Sequence, residues 1–319
     1  MEYHVSFVRV STALFSLFVI VLLGAWFRKQ KIVQKESDAT LHWLLIHLFT
    51  PCLIIDSFLA NSGIEGIGTL FTAPLLGFST ILIGILVSTV SARLLGIPRG
   101  DQHKAFVVCT SFYNYGYLPV PLVMIFFDAH VLQMLFLFNV GLDIALWSIG
   151  FVTLTGKGSF PHCIKRAFNT PFLAILFSLA ILAIYGGNPF PLTVTRIVHM
   201  TGQAAIPIAL LILGTMAFDY FPVLRSPDQI REVFLAVVLR LLLIPLCFVF
   251  LIVVLPLPES VQIVLSVQAG MPSAVLPLVI ISRYGGDISL ALRIIVATSL
   301  GSLVTLPIWL SLLFSWVFK

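Results

Sequence analysis

Charged side chains are the first thing this chain is short of. Asp, Glu, Lys and Arg make up 10% of its 319 residues, where soluble domains carry about 25%. With 59% hydrophobic residues and a mean hydropathy of +1.09, that shortage excludes a soluble globular domain and leaves an all-α, multi-span membrane protein. Cysteine is sparse as well. Cys52, Cys109, Cys163 and Cys247 are scattered, three of them in apolar segments, without CxxC spacing; neither a disulfide frame nor a zinc site is expected. The net charge of +5 does not indicate a nucleic-acid partner, because the basic residues are confined to short loops between apolar runs, a pattern that reports orientation in a lipid bilayer. A basic n-region is missing: the chain opens Met-Glu-Tyr-His, and Arg28, Lys29, Lys31 and Lys35 follow its first apolar run. That reads as a retained helix, not a cleaved signal. No polar linker or low-complexity tract sets off a soluble module, so the function is expected to lie within the membrane.

A span needs about 20 apolar residues. That measure predicts ten spans, at 6–27, 40–60, 69–95, 104–126, 131–154, 169–186, 195–217, 230–254, 260–282 and 289–317. Loops holding Arg28, Lys29, Lys31 and Lys35, then Arg93, Arg99 and Lys104, then Lys157, Lys165 and Arg166, then Arg225 and Arg231, then Arg283 and Arg293, alternate with loops holding only Arg9, Arg196 and Lys319. The rich side is expected in the cytoplasm, which puts both termini outside and requires an even number of spans. Arg240 is the remaining basic residue and falls inside a span.

The most informative stretch is 110–123, Thr-Ser-Phe-Tyr-Asn-Tyr-Gly-Tyr-Leu-Pro-Val-Pro-Leu-Val. Asn114, Gly116, Pro119 and Pro121 interrupt a segment that should cross the membrane. Proline removes a backbone donor and clashes with the preceding turn, and unpaired carbonyls in hydrocarbon cost several kcal/mol each. A broken helix at membrane depth is therefore expected only where it lines something. Pro272 breaks the ninth span in the same way, and Pro51 and Pro207 are expected to break the second and seventh. Pro121 and Pro272 stand 151 residues apart and Pro51 and Pro207 stand 156 apart. Residues 1–155 and 169–319 then read as two five-helix repeats of inverted orientation, and paired broken helices point to the substrate site of a secondary transporter.

Asn114-Tyr-Gly-Tyr-Leu-Pro-Val-Pro-Leu122 resembles the Asn-x-Gly-x-Leu-x-x-Pro-Leu signature of the auxin efflux carrier family, whose bacterial members include malonate and malate permeases. Gln268-Ala-Gly-Met-Pro-Ser-Ala274 is similar to that family's Ala-Ala-Met-Pro-type crossover, and Arg283-Tyr-Gly-Gly-Asp287, Thr298-Ser-Leu-Gly-Ser302 and Thr305-Leu-Pro307 match its pattern beyond. Tyr117 and Pro119 depart from the commonest spelling. The resemblance implies ten spans in two inverted repeats, with the fourth and ninth helices crossing at their breaks near the midplane. It further implies a scaffold of spans 1, 2, 6 and 7, often dimeric, and a moving transport domain of spans 3–5 and 8–10. The compact length, without a long central loop, resembles the bacterial members and implies a bacterial inner membrane.

A broken helix offers an N-terminal end that favours an anion and a C-terminal end whose carbonyls suit a cation. Asn114, Tyr115, Gly116, Pro119 and Pro121 on one side and Gln268, Gly270 and Pro272 on the other form the expected crossover. Asn114 and Gln268 either touch substrate or coupling ion, or cap the freed backbone groups. Asp143 lies in the middle of the fifth span, where a carboxylate costs at least ~2.5 kcal/mol, and Asn139 shares its helix face. Asp143 is the candidate proton carrier. Arg240 either pairs with Asp143, meets a substrate carboxylate, or snorkels to the cytoplasmic edge. Asp56, and His199 with Gln203, are weaker candidates; Trp43, Trp147, Trp309 and Trp316 read as interface anchors. Tyr113, Tyr115 and Tyr117 alternate around the break as possible walls for a substrate. The expected activity is transport of a small mono- or dicarboxylate by alternating access, uncoupled or in symport with H⁺ or Na⁺, with no other cofactor. Two alternatives stand beside it: a sensor on a transporter fold, and an intramembrane aspartyl protease built on Asp56 and the Gly141-Leu-Asp143 sequence.

Overall fold

A computed structural model describes residues 7–60, 66–156, 168–225 and 228–317. Cys163, Lys157, Lys165, Arg166 and Lys319 lie outside the described residues, as do the side chains of Arg9, Arg225 and Trp316. Every regular element among the described residues is a helix. The one extended contact is an isolated antiparallel bridge between Tyr113 and Ser273. Seven helices are long and apolar enough to cross a bilayer: Val10–Lys29, Glu36–Ala60, Gly68–Leu94, Ala129–Thr155, Leu192–Val223, Ile230–Val254 and Ile288–Ser315. Thr170–Tyr185 is a shorter apolar helix of 16 residues. The stretches expected as the fourth and ninth spans are each split in two, Asp101–Ser111 with Pro119–Phe126 and Glu259–Ala269 with Leu276–Tyr284.

The prolines act differently from the sequence expectation. Pro119 and Pro121 do not themselves occupy the break: Pro119 opens the second half-helix, a position where the missing N–H costs nothing and the fixed φ is already helical. The chain leaves helix earlier, over 112–118. Pro51 does not break its helix either. A π-turn at Leu45–Phe49 precedes it, and the wider turn accommodates the ring that an α-turn would meet at residue i−4. The same device recurs at Leu239–Leu243 ahead of Pro245, and Arg240 lies within that π-turn. Only Ala204 separates Leu192–Gln203 from Ala205–Tyr220, which contains Pro207.

In lipid there is little hydrophobic drive between helices, so close packing needs small residues. The Phe7–Lys29 helix lies along Ala205–Tyr220, and Gly66–Leu94 lies along Ala129–Ala145. In the first pair Gly24 faces the Leu211 carbonyl and Gly214 faces that of Val21; in the second, Gly77 faces the Phe138 carbonyl and Gly141 that of Pro74. A Cβ at any of the four would collide with backbone. Thr50–Ala60 packs on Thr170–Tyr185 and Leu192–Gln203, whereas Ile288–Val317 packs on Ile230–Val238, Asp101–Ser111 and Glu259–Ala269. The interrupted segments sit in the middle of the bundle, with Phe106, Val107, Val108, Leu265, Val267 and Ala269 all buried.

Candidate functional site

The two interruptions solve each other's backbone problem. Asn114 N–H donates to the Pro272 carbonyl at 2.8 Å, and Ala274 N–H donates to that of Phe112 at 2.9 Å, the two bonds of the Tyr113–Ser273 bridge. Ser273 N–H donates to Thr298 Oγ1 at 3.2 Å. Buried amides left unpaired would each cost the free energy of a lost hydrogen bond, so the crossing itself is what makes both breaks tolerable.

Side chains complete the arrangement. Asn114 Oδ1 accepts from Tyr117 N–H at 3.0 Å, so this residue caps the freed backbone and also lines the adjoining cavity. Asn139 Nδ2 donates to the Tyr115 carbonyl at 2.9 Å, and Gln268 Nε2 donates to Asn139 Oδ1 at 3.2 Å. Gln268 is fully buried and does not reach the cavity. The fifth helix is thereby bonded to both interrupted segments.

Arg240 neither pairs with Asp143 nor snorkels: it is 0% exposed and stands behind the cavity wall. Its Nε donates to the Met271 carbonyl at 2.9 Å, and its guanidinium lies over the Tyr113 ring, 4.6 Å from the centroid. Asp143 bonds elsewhere, accepting from Tyr115 O–H at 2.6 Å and from Asn169 Nδ2 at 2.9 Å. Asp56 accepts from or pairs with His199 Nδ1 at 2.8 Å. The two aspartates thus have separate partners and form no dyad.

A cavity of about 430 Å³ adjoins the crossover. Its walls come from residues 42–54, the crossover, the Ala129–Ala145 helix with Trp147 beyond it, the start of Thr170–Tyr185 and the Ala205–Tyr220 helix. Of the residues singled out in the sequence, Asn114, Tyr115, Gly116, Pro121, Asn139 and Asp143 line it, while Pro119, Gly270 and Pro272 stand behind with Arg240 and Gln268. Tyr113 is likewise behind, fully buried, whereas Tyr117 is in the wall. Trp147 also lines the cavity, and Trp309 Nε1 donates to the Leu241 carbonyl at 2.8 Å. Asn169 was not recognised in the sequence. Its signal was the Asn-Thr-Pro start of a helix: its Oδ1 accepts from Phe172 N–H at 2.9 Å.

Both second half-helices, Pro119–Phe126 and Leu276–Tyr284, present their first turn to the cavity through Val120, Pro121, Leu276 and Val279. Pro119, Pro121 and Pro277 bring no N–H to these turns, and the amides of Val120, Leu122 and Leu278 donate to the Gly116, Leu118 and Val275 carbonyls. What each end turns to the cavity is the positive end of its dipole, a partial charge of about +0.5. Among the described residues, Asp143 is the one carboxylate in the lining, and no Lys or Arg belongs to it. A polar-tipped, otherwise apolar cavity at interrupted helices is the candidate binding site of this bundle.

The comparison with known proteins agrees. The family model described as "Membrane transport protein" matches residues 9–161 and again 157–310. The chain therefore belongs to the membrane transport protein family, that of the auxin efflux carriers. It is similar to an uncharacterized transporter of Methanothermobacter thermautotrophicus, 28% identical over 95% of this chain and 98% of the relative. It is also similar to one of Methanocaldococcus jannaschii, 23% identical over 91% of this chain and 94% of the relative. An uncharacterized transporter of Saccharomyces cerevisiae is 28% identical over 33% of this chain and 25% of its own length.

Proposed function

We propose that the protein is a secondary transporter of a small organic anion, working by alternating access around the cavity at the crossover. The observation that carries this reading is the convergence of the positive ends of two half-helix dipoles on one cavity that Asn114 also lines, a field that favours an anion. Asp143 is the proposed proton carrier: an anion and this carboxylate share the cavity most readily when the carboxyl is protonated, which couples uptake to H⁺.

The architecture proposed with it counts the short helix and the two split segments as crossings, giving ten spans in two inverted repeats. Support comes from the twice-matching family model and from the matched starts of Asp101 and Glu259, Pro119 and Leu276, Ala129 and Ile288. Spans 1, 2, 6 and 7 are the proposed scaffold and homodimer surface, and spans 3–5 and 8–10 the moving body; the two meet where Phe7–Lys29 packs on Ile288–Val317 and Thr50–Ala60 on Ala129–Ala145. The termini are placed outside by the distribution of basic residues.

A second reading has one observation in its favour. The cavity's single carboxylate stands among Tyr115, Tyr117, Phe136, Trp147 and Phe172, a setting that suits an organic cation. A thermal-shift screen of the purified protein decides between them, using malonate, malate, succinate, lactate and indole-3-acetate against choline and tetramethylammonium, at pH 5.5 and 7.5. A ligand at 100 times its dissociation constant adds about 2.7 kcal/mol. Stabilisation by a carboxylate, lost in Asn114→Ala, supports the anion reading. Stabilisation by the ammonium compounds alone overturns it.

A further inference from the structure

A buried charge needs compensation, and Arg240 finds it in an unusual place. Among the described residues no carboxylate forms an ion pair with it. Its hydrogen bonds go instead to the end of the Glu259–Ala269 helix: Nε to the Met271 carbonyl at 2.9 Å, and Nη2 to those of Gln268 and Ala269 at 3.4 Å each. The rings of Tyr113 and Phe248 stand 4.6 and 5.8 Å from the guanidinium carbon. The last carbonyls of a helix lack intrahelical donors and carry the negative end of the macrodipole. Two aromatic faces add further negative potential. Among the described residues the positive charge is thus held by carbonyl dipoles and π-faces alone, with Nη1 left without a hydrogen-bond partner.

This is the ligand set that a dissolved monovalent cation takes at an unwound membrane helix. We propose that Arg240 is a tethered cation filling the carbonyl end of the second interrupted helix, so that this transporter binds no Na⁺ there and runs without a sodium gradient. The proposal deepens the reading of the crossover as the transport site. Arg240 acts as a positioning residue, since it reaches the cavity only through the crossover backbone that also bonds Asn114. The π-turn Leu239–Leu243 places this side chain in the bundle interior, and Trp309 Nε1 takes up the Leu241 carbonyl of the same turn at 2.8 Å.

The test needs no substrate, so its failure is separable from failure of the anion reading. Thermal unfolding of the purified full chain in detergent is followed in NaCl, KCl and CsCl at one ionic strength, for the wild type, Arg240→Lys and Arg240→Gln. The wild type is expected to unfold at the same temperature in all three salts, within about 1 °C. Arg240→Gln is expected to lose several degrees in CsCl, whose cation is the largest of the three, and to regain at least half of the loss in NaCl or in millimolar guanidinium chloride, because the vacated carbonyls then take a free cation that fits. Arg240→Lys keeps a tethered charge and is expected to lose less and to ignore the salt. A saturable, sodium-specific rise in the wild type overturns the proposal, and so does an Arg240→Gln protein that gains nothing from either cation. If Arg240→Gln cannot be purified, the wild type and Arg240→Lys still decide: a sodium response in either is the overturning result.

Discussion

One asparagine starts a helix and holds the cavity's carboxylate. Asn169 Nδ2 donates to Asp143 Oδ2 at 2.9 Å, while its Oδ1 accepts from Phe172 N–H at 2.9 Å. Asn169→Ala removes both bonds. Loss of the cap alone costs about 1 kcal/mol, and Asp143 is left with the Tyr115 hydroxyl as partner. Asn169→Asp keeps a capping oxygen but sets a second carboxylate against Asp143, so it is expected to be the less stable of the two at pH 7.5. Melting temperatures in detergent check the order; an Asn169→Asp protein as stable as the wild type would mean that this contact does not form.

The glycine contacts give a prediction about packing. Gly141 sits against the Pro74 carbonyl, and a Cβ there has nowhere to go because the obstacle is backbone. Gly141→Ala is expected to force the Gly66–Leu94 and Ala129–Ala145 helices apart and to cost at least the ~1–3 kcal/mol of an overpacked core. Gly68→Ala, on the partner helix Gly66–Leu94 with nothing within 4 Å, is the control and should be neutral or slightly stabilising through helix propensity. A Gly141→Ala protein as stable as the Gly68→Ala control would show that the Pro74 contact does not limit the packing.

The crossover rests partly on a hydroxyl. Thr298 Oγ1 accepts from Ser273 N–H at 3.2 Å and itself donates to the Ile294 carbonyl at 2.7 Å. Thr298→Val preserves shape and leaves that buried amide without its acceptor, an expected cost of about 1–3 kcal/mol. Thr298→Ser keeps the oxygen and should recover most of it. Unfolding midpoints of the two variants, read side by side, test whether the oxygen or the methyl group matters.

How much of this was legible in the residues can be followed through single positions. The multi-span class came directly from scarce charge, and the interruption near Asn114 came from Gly116 and two prolines in an apolar run. What the prolines could not reveal was which backbone groups they leave needing partners. Pro119 starts a helix instead of ending one, and Pro51 is absorbed by a π-turn that costs one wider turn of backbone. Neither outcome has a local sequence signature. The mutual pairing of Asn114 with Pro272 joins positions far apart in the chain, so periodicity cannot show it. Asp143 and Asn139 were readable because a polar residue in an apolar helix is expensive. Arg240 was readable for the same reason, but its partners are carbonyls, and carbonyls are present at every residue. A charge that bonds to backbone leaves no complementary letter to search for.

Asp143→Asn separates the two readings of the cavity. The substitution keeps an oxygen that can accept from the Tyr115 hydroxyl, now at 2.6 Å, and removes the one carboxylate from the lining. If the substrate is an anion, deleting a like charge from its site should raise affinity at pH 7.5, by about tenfold for 1.4 kcal/mol of relieved repulsion. Uptake into proteoliposomes should then lose its dependence on an imposed proton gradient, because the group that carries the proton is gone. If the substrate is a cation, the same change removes its counter-charge, and binding should fall by a similar factor or more at every pH. The measurement is uptake of a radiolabelled carboxylate, and separately of a radiolabelled quaternary ammonium, with and without a pH step across the membrane. A variant that still follows the proton gradient for the carboxylate would remove Asp143 from the coupling role and move that role to another titratable group, of which the described lining holds His42.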